Sequence, residues 1–269
     1  MKQRKILLAA AVLAAVCCAC TYFSHRIYTN AGHTAVERVR GEGFSAVVHM
    51  PESSRPGNPA PGVLVVGENL LTRRALASEL SRRGYVAAAV SARQAEAALN
   101  WMTRQDRILA ERLALVGRGE DILPLQTETG NIQAAVGLGF DTLPGEASEY
   151  NCLLFAADAP SAEELAHFLC CEESKAELGR IRGYFMSENA RCLYLTDGRP
   201  AFRDEDVQIR LFDWLGSSLG HRIELPDDYQ QWPAMETLTF LALLSGSLSA
   251  CLFLCLLGKN THQPVFRED

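Results

Sequence analysis

Between residues 24 and 234, the sequence lacks both a Cys-x-x-Cys pair and any cysteine–histidine spacing of the kind that binds zinc. It therefore gives no sign of a structural zinc site or of a thioredoxin-like redox centre. A basic excess is also missing: 26 Lys and Arg stand against 32 Asp and Glu, and between residues 24 and 234 the numbers are 21 and 29. This balance argues against nucleic acid as a partner and against a polybasic lipid-binding face. Internal repeats and low-complexity tracts are missing as well.

Charge is absent from a long stretch near the start of the chain. Residues 6–23 follow Lys2, Arg4 and Lys5 and contain no charged side chain. At about 1.5 Å per residue they reach roughly 27 Å, which barely matches the core of a bilayer. The stretch is typical of a transmembrane signal anchor or of a signal peptide.

A second uncharged stretch, residues 237–257, is long enough to span a bilayer comfortably. Trp232 before it suits an interfacial anchor, and Lys259 after it suits the cytoplasmic side. Because basic residues also precede the first stretch, we expect both ends inside and the region between them on the extracytoplasmic side of the cell membrane. The predicted organisation is a basic cytoplasmic end at 1–5, a signal anchor or signal peptide at 6–23, a stalk at 24–43, a globular domain at 44–220, a linker at 221–234, a transmembrane helix at 235–257 and a cytoplasmic tail at 258–269.

The cysteines leave two covalent possibilities open. Cys17, Cys18 and Cys20 invite a lipoprotein interpretation, but the residues before them lack the usual leucine at position −3, and small apolar residues of a helix also explain them. The globular domain contains Cys152, Cys170, Cys171 and Cys192. Cys152 and Cys192 each begin a candidate strand and could approach each other, while buried thiols are the simpler interpretation for a domain of this size.

Short apolar runs alternate with helical patterns in the globular domain. This alternation predicts an α/β fold with a mostly parallel sheet flanked by helices. Candidate strands stand at 44–50, 62–66, 85–90, 113–116, 135–140, 152–156 and 191–196. Helical patterns occupy 71–83, 94–104, 161–171 and 204–219, and Gly84 ends the first of them.

The stretch Gly117-Arg118-Gly119-Glu120-Asp121 stands between the apolar run 113–116 and a predicted helix. A strand, a sharp turn and a helix form the setting of the hydrolase nucleophile elbow, Gly-x-Ser-x-Gly. Here Gly119 takes the place of the serine, and glycine has no side chain with which to attack a substrate.

Together with three further blocks, this stretch makes residues 44–220 resemble an α/β-hydrolase of the compact type of dienelactone hydrolases and related esterases. Residues 61–67 resemble the strand before the oxyanion loop, and residues 80–86 resemble the step from the next helix into its strand. Residues 113–120 resemble the strand with its elbow, and residues 211–215 resemble the closing helix.

The resemblance implies three catalytic positions, and two of them carry no suitable side chain. The nucleophile position is Gly119, and the segment 196–202, where the histidine is expected, contains none of the six histidines. His167, in a predicted helix, is expected to be packed rather than catalytic. Asp158 stands at the acid position, and its other interpretation is a surface or helix-capping aspartate before Pro160.

The predicted oxyanion loop is altered as well. The family commonly has His-Gly after its strand, whereas this chain has Gly67, Glu68 and Asn69, and a carboxylate at Glu68 would oppose a developing negative charge. The sequence places four residues at the mouth of a pocket, namely Glu68, Asn69, Asp197 and Arg199. Arg118 and Glu120 flank Gly119 and could form an ion pair or remain solvated.

Two other chemistries stay open in the sequence. Ser91 follows a strand at the sheet edge where α/β ligands bind, which makes it an alternative nucleophile, although it has no evident base. Glu68, Glu120, Asp158 and Asp197 could converge on a divalent cation. The sequence nevertheless predicts no metal and no cofactor.

These features predict a membrane-anchored, extracytoplasmic α/β-hydrolase-like protein that is catalytically inactive and acts as a binding or scaffold module for a small ligand or a protein. The alternative is an active carboxylic-ester-type serine hydrolase with a displaced nucleophile. A third hypothesis is a structural subunit of a membrane complex, which uses the small residues of segment 244–250 as a helix contact.

Overall fold

A computed structural model of the chain describes residues 2–28, 34–67, 69–125, 131–140, 143, 150–221 and 232–261. Within these residues, helices run over Lys2–Tyr28 (α1), Leu70–Arg82 (α2), Ala95–Met102 (α3), Gly119–Ile122 (α4), Ala162–Phe168 (α5), Glu205–Leu219 (α6) and Trp232–Thr261 (α7). Strands run over Thr34–Gly41 (β1), Phe44–Pro51 (β2), Ala60–Val66 (β3), Val86–Val90 (β4), Ile108–Arg118 (β5), Ile132–Leu138 (β6), Asn151–Ala156 (β7) and Arg191–Leu195 (β8). The chain divides into two compact units, one with α1 and α7 and one with the strands and the remaining helices.

The strands form one sheet in the order β1-β2-β4-β3-β5-β6-β7-β8. β2 pairs antiparallel with β1 and with β4, and the other neighbours pair parallel. Every residue of β3 and β4 is buried, as expected for central strands covered on both faces. The predicted α/β class, with a mostly parallel sheet flanked by helices, is confirmed.

One hydrophobic core lies between α3 and the sheet. Leu99 and Met102 of α3 pack there with Leu64 and Val66 of β3. α2 and α6 also pack against the strands. Because side chains alternate along a strand, Val63 and Val65 point to the opposite face from Leu64 and Val66.

The ends of α2 are set by two local features. The Asn69 side chain caps the helix, since its Oδ1 accepts hydrogen bonds from the backbone N–H groups of Leu71 and Thr72 at 3.0 and 3.4 Å. After the helix, Gly84 has a φ of +87°, a conformation that glycine adopts without strain. The first turn of α2 is thereby fixed at the carboxyl end of β3.

The predicted stalk at 24–43 is wrong in its second half. Residues 34–41 form β1, which pairs along its whole length with β2 at the edge of the sheet. An edge strand keeps most of its side chains in solvent, so it tolerates charged residues that disguise the alternation expected of a strand. Residues 24–28 belong to α1, and most of the predicted linker at 221–234 lies outside the described residues.

Cys152 and Cys192, each the second residue of one of two neighbouring strands, cannot form a disulfide with each other. Cys152 pairs in register with Arg191, and Leu153 pairs with Cys192, so the two thiols point to opposite faces of the sheet. Both are free and buried. Burial raises the pKa of Cys152 to about 12 and that of Cys192 to about 11, which leaves both as unreactive thiols.

The second unit consists of two helices that are long and apolar enough to cross a membrane. The candidate spans are Arg4–Arg26 in α1 and Thr237–Leu256 in α7, with mean hydropathies of 2.4 and 2.1. Length and composition agree with the two apolar segments that the sequence indicates.

Candidate functional site

The direction of the chain crossovers reverses between β3 and β5. β4 follows β3 on one side of it in the sheet, while β5 lies on the other side and is followed outward by β6, β7 and β8. In open α/β sheets, ligands bind at such a switch point, outside the carboxyl ends of the strands. A cleft of about 260 Å³ lies there, bounded by the ends of β3, β5 and β6, by the first turn of α2 and by residues 199–202 after β8.

Both apolar and polar side chains line this cleft. The apolar lining includes Val65, Val66, Leu138, Ala201 and Phe202. The polar lining includes Asn69 and Thr72 and three arginines, Arg73, Arg118 and Arg199. Each arginine comes from a different segment, and we refer to the whole as the arginine cleft.

The three arginines differ in how far their charge is balanced. Arg118 forms an ion pair with Glu120, with 2.7 Å between Nη2 and Oε1. Arg199 is exposed and has no hydrogen bond or ion pair to the described residues. Arg73 donates from Nη1 to the Gly67 carbonyl oxygen at 2.6 Å, while its Nε has no partner among the described residues. The pKa of Arg73 is lowered, first by burial and second by the neighbouring charge of Arg74, so an anion beside it would be stabilised.

The predicted strand–turn–helix is present where β5 passes directly into α4. Gly119 is the first residue of that helix and is buried, and its N–H donates to the Gly139 carbonyl oxygen at 3.0 Å. A Cβ built on Gly119 would overlap that oxygen and would lie 3.1 Å from the Cβ of Phe140. The φ of Gly119 is outside the left-handed range, so this turn lacks the strained backbone with which a nucleophile elbow exposes its side chain.

Gly117 is also enclosed. A Cβ at this position would lie 2.7 Å from Cγ2 of Ile122 and 2.9 Å from the carbonyl oxygen of Val66. The main chain of β5 therefore runs against β3 and α4 with no space for a side chain, whereas Arg118, between the two glycines, points into solvent and lines the cleft.

The predicted acid and the alternative nucleophile lie apart from the cleft lining. Asp158 is exposed after β7, and Ser161 rather than Asp158 caps α5, so the helix-capping interpretation is wrong and the surface one remains. The Ser91 hydroxyl donates to the side-chain oxygen of Gln94 at 3.1 Å. This oxygen belongs to an amide, which cannot act as a general base. Neither Asp158 nor Ser91 lines the arginine cleft.

The structure places two of the four residues that were predicted at the pocket mouth in the lining of the arginine cleft. Asn69 and Arg199 both line the arginine cleft. Asp197 is exposed and does not line it, and Glu68 lies outside the described residues. In the part of the chain that the structure describes, no three His, Cys, Asp or Glu residues are grouped to hold a metal ion, so Glu120, Asp158 and Asp197 do not converge.

The described histidines of the domain lie away from the cleft as well. His49 is buried in β2, and its pKa is lowered to about 4, first by burial and second by the charge of Arg74. His167 is exposed on α5, which corrects the prediction that it packs. His221 follows α6 and lies 3.2 Å from the carbonyl oxygen of Arg83.

Sequence reasoning missed Thr72 and Arg73. The periodicity of residues 71–83 places arginines on the polar face of a helix, where side chains are usually exposed to solvent and have no ligand to bind. The signal that could have found them is topological: in a β–α unit, the first turn of the helix lies at the carboxyl edge of the sheet. A polar residue in that turn is thus a candidate for the ligand site.

No protein-family model and no curated protein matches the sequence. Solved structures do resemble it. A dienelactone hydrolase-like promiscuous phosphotriesterase from metagenomic libraries is 18% identical over 78% of this chain and 99% of its own, with a TM-score of 0.48. A Klebsiella pneumoniae protein described as a dienelactone hydrolase is 17% identical over 68% of this chain and 98% of its own, with a TM-score of 0.47.

An esterase from Thermogutta terrifontis is 12% identical, with 69% of this chain and 92% of its own covered and a TM-score of 0.47. The activities in the names of these three proteins are their own.

Proposed function

We propose that the chain is a membrane-anchored, extracytoplasmic α/β-hydrolase-like protein that performs no hydrolysis and binds a small organic anion in the arginine cleft. The observation that carries the inactive part is the enclosure of Gly119. There is no space for a side chain at Gly119, because the Gly139 carbonyl oxygen occupies the position that a Cβ would take.

A second line of support comes from the partners that hydrolysis needs. A serine nucleophile requires a base within hydrogen-bond reach, and the base requires an orienting acid. The hydroxyl of Ser91 donates to an amide oxygen, and none of the described histidines lines the cleft. No specific contact favours the alternative of an active esterase with a displaced nucleophile.

The ligand class follows from the charge and size of the cleft. Arginine guanidinium groups form paired hydrogen bonds with carboxylate and phosphate oxygens. Arg73 and Arg199 carry no anionic partner among the described residues, so the described part of the cleft lining is net positive, although the protein is acidic. At about 260 Å³ it is slightly smaller than typical ligand pockets of about 300–1,000 Å³. A compact acid with a short apolar body suits both the arginines and the apolar residues of the lining.

Membrane anchoring is supported by the two candidate spans, and the orientation by the positions of basic residues. Lys2, Arg4 and Lys5 precede or begin the first span, and Lys259 follows the second. Basic residues favour the cytoplasmic side, and an even number of spans returns the chain to it. Both observations support an extracytoplasmic position for the acidic domain between the spans.

Binding of hexanoate and of phenyl phosphate, measured by calorimetry on the full chain in a mild detergent, tests the ligand class. We expect at least one of the two acids to bind, and Arg199→Gln to weaken its binding by roughly tenfold or more, since a hydrogen bond to a charged group contributes about 1.5–3 kcal/mol. Arg180→Gln is the matched control, because Arg180 is exposed, pairs with Glu177 and lies outside the cleft lining.

Two results would contradict the proposal, each in a different part. If neither acid binds, or if Arg199→Gln and Arg180→Gln bind equally well, the anion site is wrong. A fluorophosphonate probe tests the inactive part separately. Labelling of the wild-type chain that is lost in Ser91→Ala would establish an active hydrolase instead.

A further inference from the structure

α1 and α7 each bury one narrow stripe of side chains. On α1 the less exposed positions are Ile6, Ala10, Leu13, Cys17, Cys20 and Ser24. On α7 they include Leu238, Ala242, Ser245, Ser249, Leu252 and Leu256. The steps within both series alternate between four and three residues. This is the 3.5-residue repeat of two helices that pack side by side along their whole length.

The two stripes contact each other in an antiparallel arrangement. Near one end of the pair, the Ser249 hydroxyl donates to the carbonyl oxygen of Ala10 at 2.9 Å. Near the other end, the hydroxyls of Ser24 and Thr239 lie 3.0 Å apart. Hydrogen bonds between such side chains are a recognised means of joining helices in lipid.

Between these two contacts the helices approach closely at Gly246. A Cβ on this residue would lie 3.1 Å from Sγ of Cys17, tighter than ordinary van der Waals contact. Small residues at a helix contact allow the backbones to come near each other. The segment 244–250, which the sequence marks as a possible contact with another subunit, thus contributes Ser245, Gly246 and Ser249 to the stripe that faces α1.

The remaining surface of the pair is apolar and exposed. Leu8 and Leu243 are 67% and 66% exposed, and Phe240 and Leu254 are each 64% exposed. A surface of large apolar side chains around a stripe of small and hydroxyl-bearing ones is suited to lipid outside and to a partner helix inside.

We propose that α1 is retained in the mature protein and forms, with α7, an antiparallel membrane-spanning hairpin joined along these two stripes. The inference rests on the membrane anchoring proposed above and decides between the signal anchor and the signal peptide. Removal of α1 as a leader would expose Gly246 and the hydroxyls of Thr239 and Ser249 to lipid. Retention gives each of them the partner that the structure shows.

Disulfide trapping in isolated membranes tests the hairpin. The full chain carries an epitope tag at each end, keeps Cys17, has its eight other cysteines replaced by serine or alanine, and carries Gly246→Cys. After oxidation with copper phenanthroline and denaturation, free thiols are counted by the gel shift with maleimide-polyethylene glycol. We expect both thiols to be consumed in Gly246→Cys. They should stay free in the matched control Leu243→Cys, since Leu243 is 66% exposed on α7.

A second cysteine pair covers the case in which the substitution at Gly246 itself disturbs the contact between α1 and α7. Ser24→Cys with Thr239→Cys, in a chain without other cysteines, should also form a disulfide, because the native hydroxyls lie 3.0 Å apart. A mature chain without its amino-terminal tag, or free thiols in both designed pairs, would overturn the hairpin. Alkaline carbonate extraction of the same membranes separates the two ideas: chain in the supernatant refutes membrane anchoring, while chain in the pellet with free thiols refutes the hairpin alone.

Discussion

At the residue scale, the proposed inactivity depends on the enclosure of Gly119. Its position at the start of α4 matches the strand–turn–helix predicted from the sequence, but the structure adds a steric reason why no side chain stands there. The Gly139 carbonyl oxygen accepts a hydrogen bond from the Gly119 N–H and occupies the space of a Cβ. The main chain therefore leaves no space for a side chain at this position.

Gly119→Ala is expected to lower the free energy of unfolding by about 1–3 kcal/mol, because overpacking an enclosed site forces the backbone to move. Gly67→Ala is the matched control, since its Cβ would meet nothing within 4 Å, and we expect a change within about 0.5 kcal/mol. Urea unfolding in mild detergent, followed by tryptophan fluorescence, to which Trp101 and Trp214 of the domain contribute, measures both. Equal stability of Gly119→Ala and wild type would show that the turn has space for a side chain.

His49 predicts a pH dependence of stability. In the folded chain, burial and the charge of Arg74 lower the pKa of His49 from its ordinary value of 6.5 to about 4. Between these two pH values the unfolded chain binds a proton at this residue and the folded chain does not. The contribution is fully present above pH 6.5 and is lost as the pH falls from 6.5 toward 4, with a total of about 3 kcal/mol. In His49→Gln the same unfolding titration should fall less steeply across this window, and parallel curves for the two chains would refute the assignment.

At the scale of elements, the first turn of α2 connects the fold to the arginine cleft. Asn69 caps the helix and lines the cleft, and Thr72 and Arg73 follow in the same turn. Asn69→Ala removes the acceptor for two backbone N–H groups and is expected to lower the free energy of unfolding by about 1 kcal/mol. Asn69→Asp keeps an acceptor oxygen at the cap and should retain stability close to wild type in the same urea titration; an equal loss in both variants would contradict a capping role.

How far the elements could be predicted depends on how much each one is buried. β3 and β4 are apolar throughout, so the sequence indicates them within one or two residues. β1 is half in solvent and charged at Glu37, Arg38 and Arg40, so its pattern resembles a stalk. The cleft was only partly predictable, since Arg199 follows a recognisable strand, whereas Arg73 depends on the packing direction of a helix that periodicity alone does not give.

At the scale of the whole molecule, orientation across the membrane can be tested with a native cysteine. Cys170 is exposed in the domain, Cys152 and Cys192 are buried in the sheet, and Cys171 is half-buried. The others lie in the candidate spans. A membrane-impermeant maleimide applied to sealed right-side-out vesicles therefore reports mainly on Cys170, and Cys170→Ser shows how much of the signal is its own.

If the domain is extracytoplasmic, as the basic residues before α1 and after the second span indicate, wild-type chain should be labelled in sealed vesicles to the same extent as in lysed ones. The charged reagent cannot cross the bilayer, so a cytoplasmic domain would react only after lysis. Labelling confined to lysed vesicles would therefore reverse the orientation, and with it the side from which a small acid reaches the arginine cleft. The arginines themselves would be unaffected, because calorimetry in detergent measures binding without regard to sidedness.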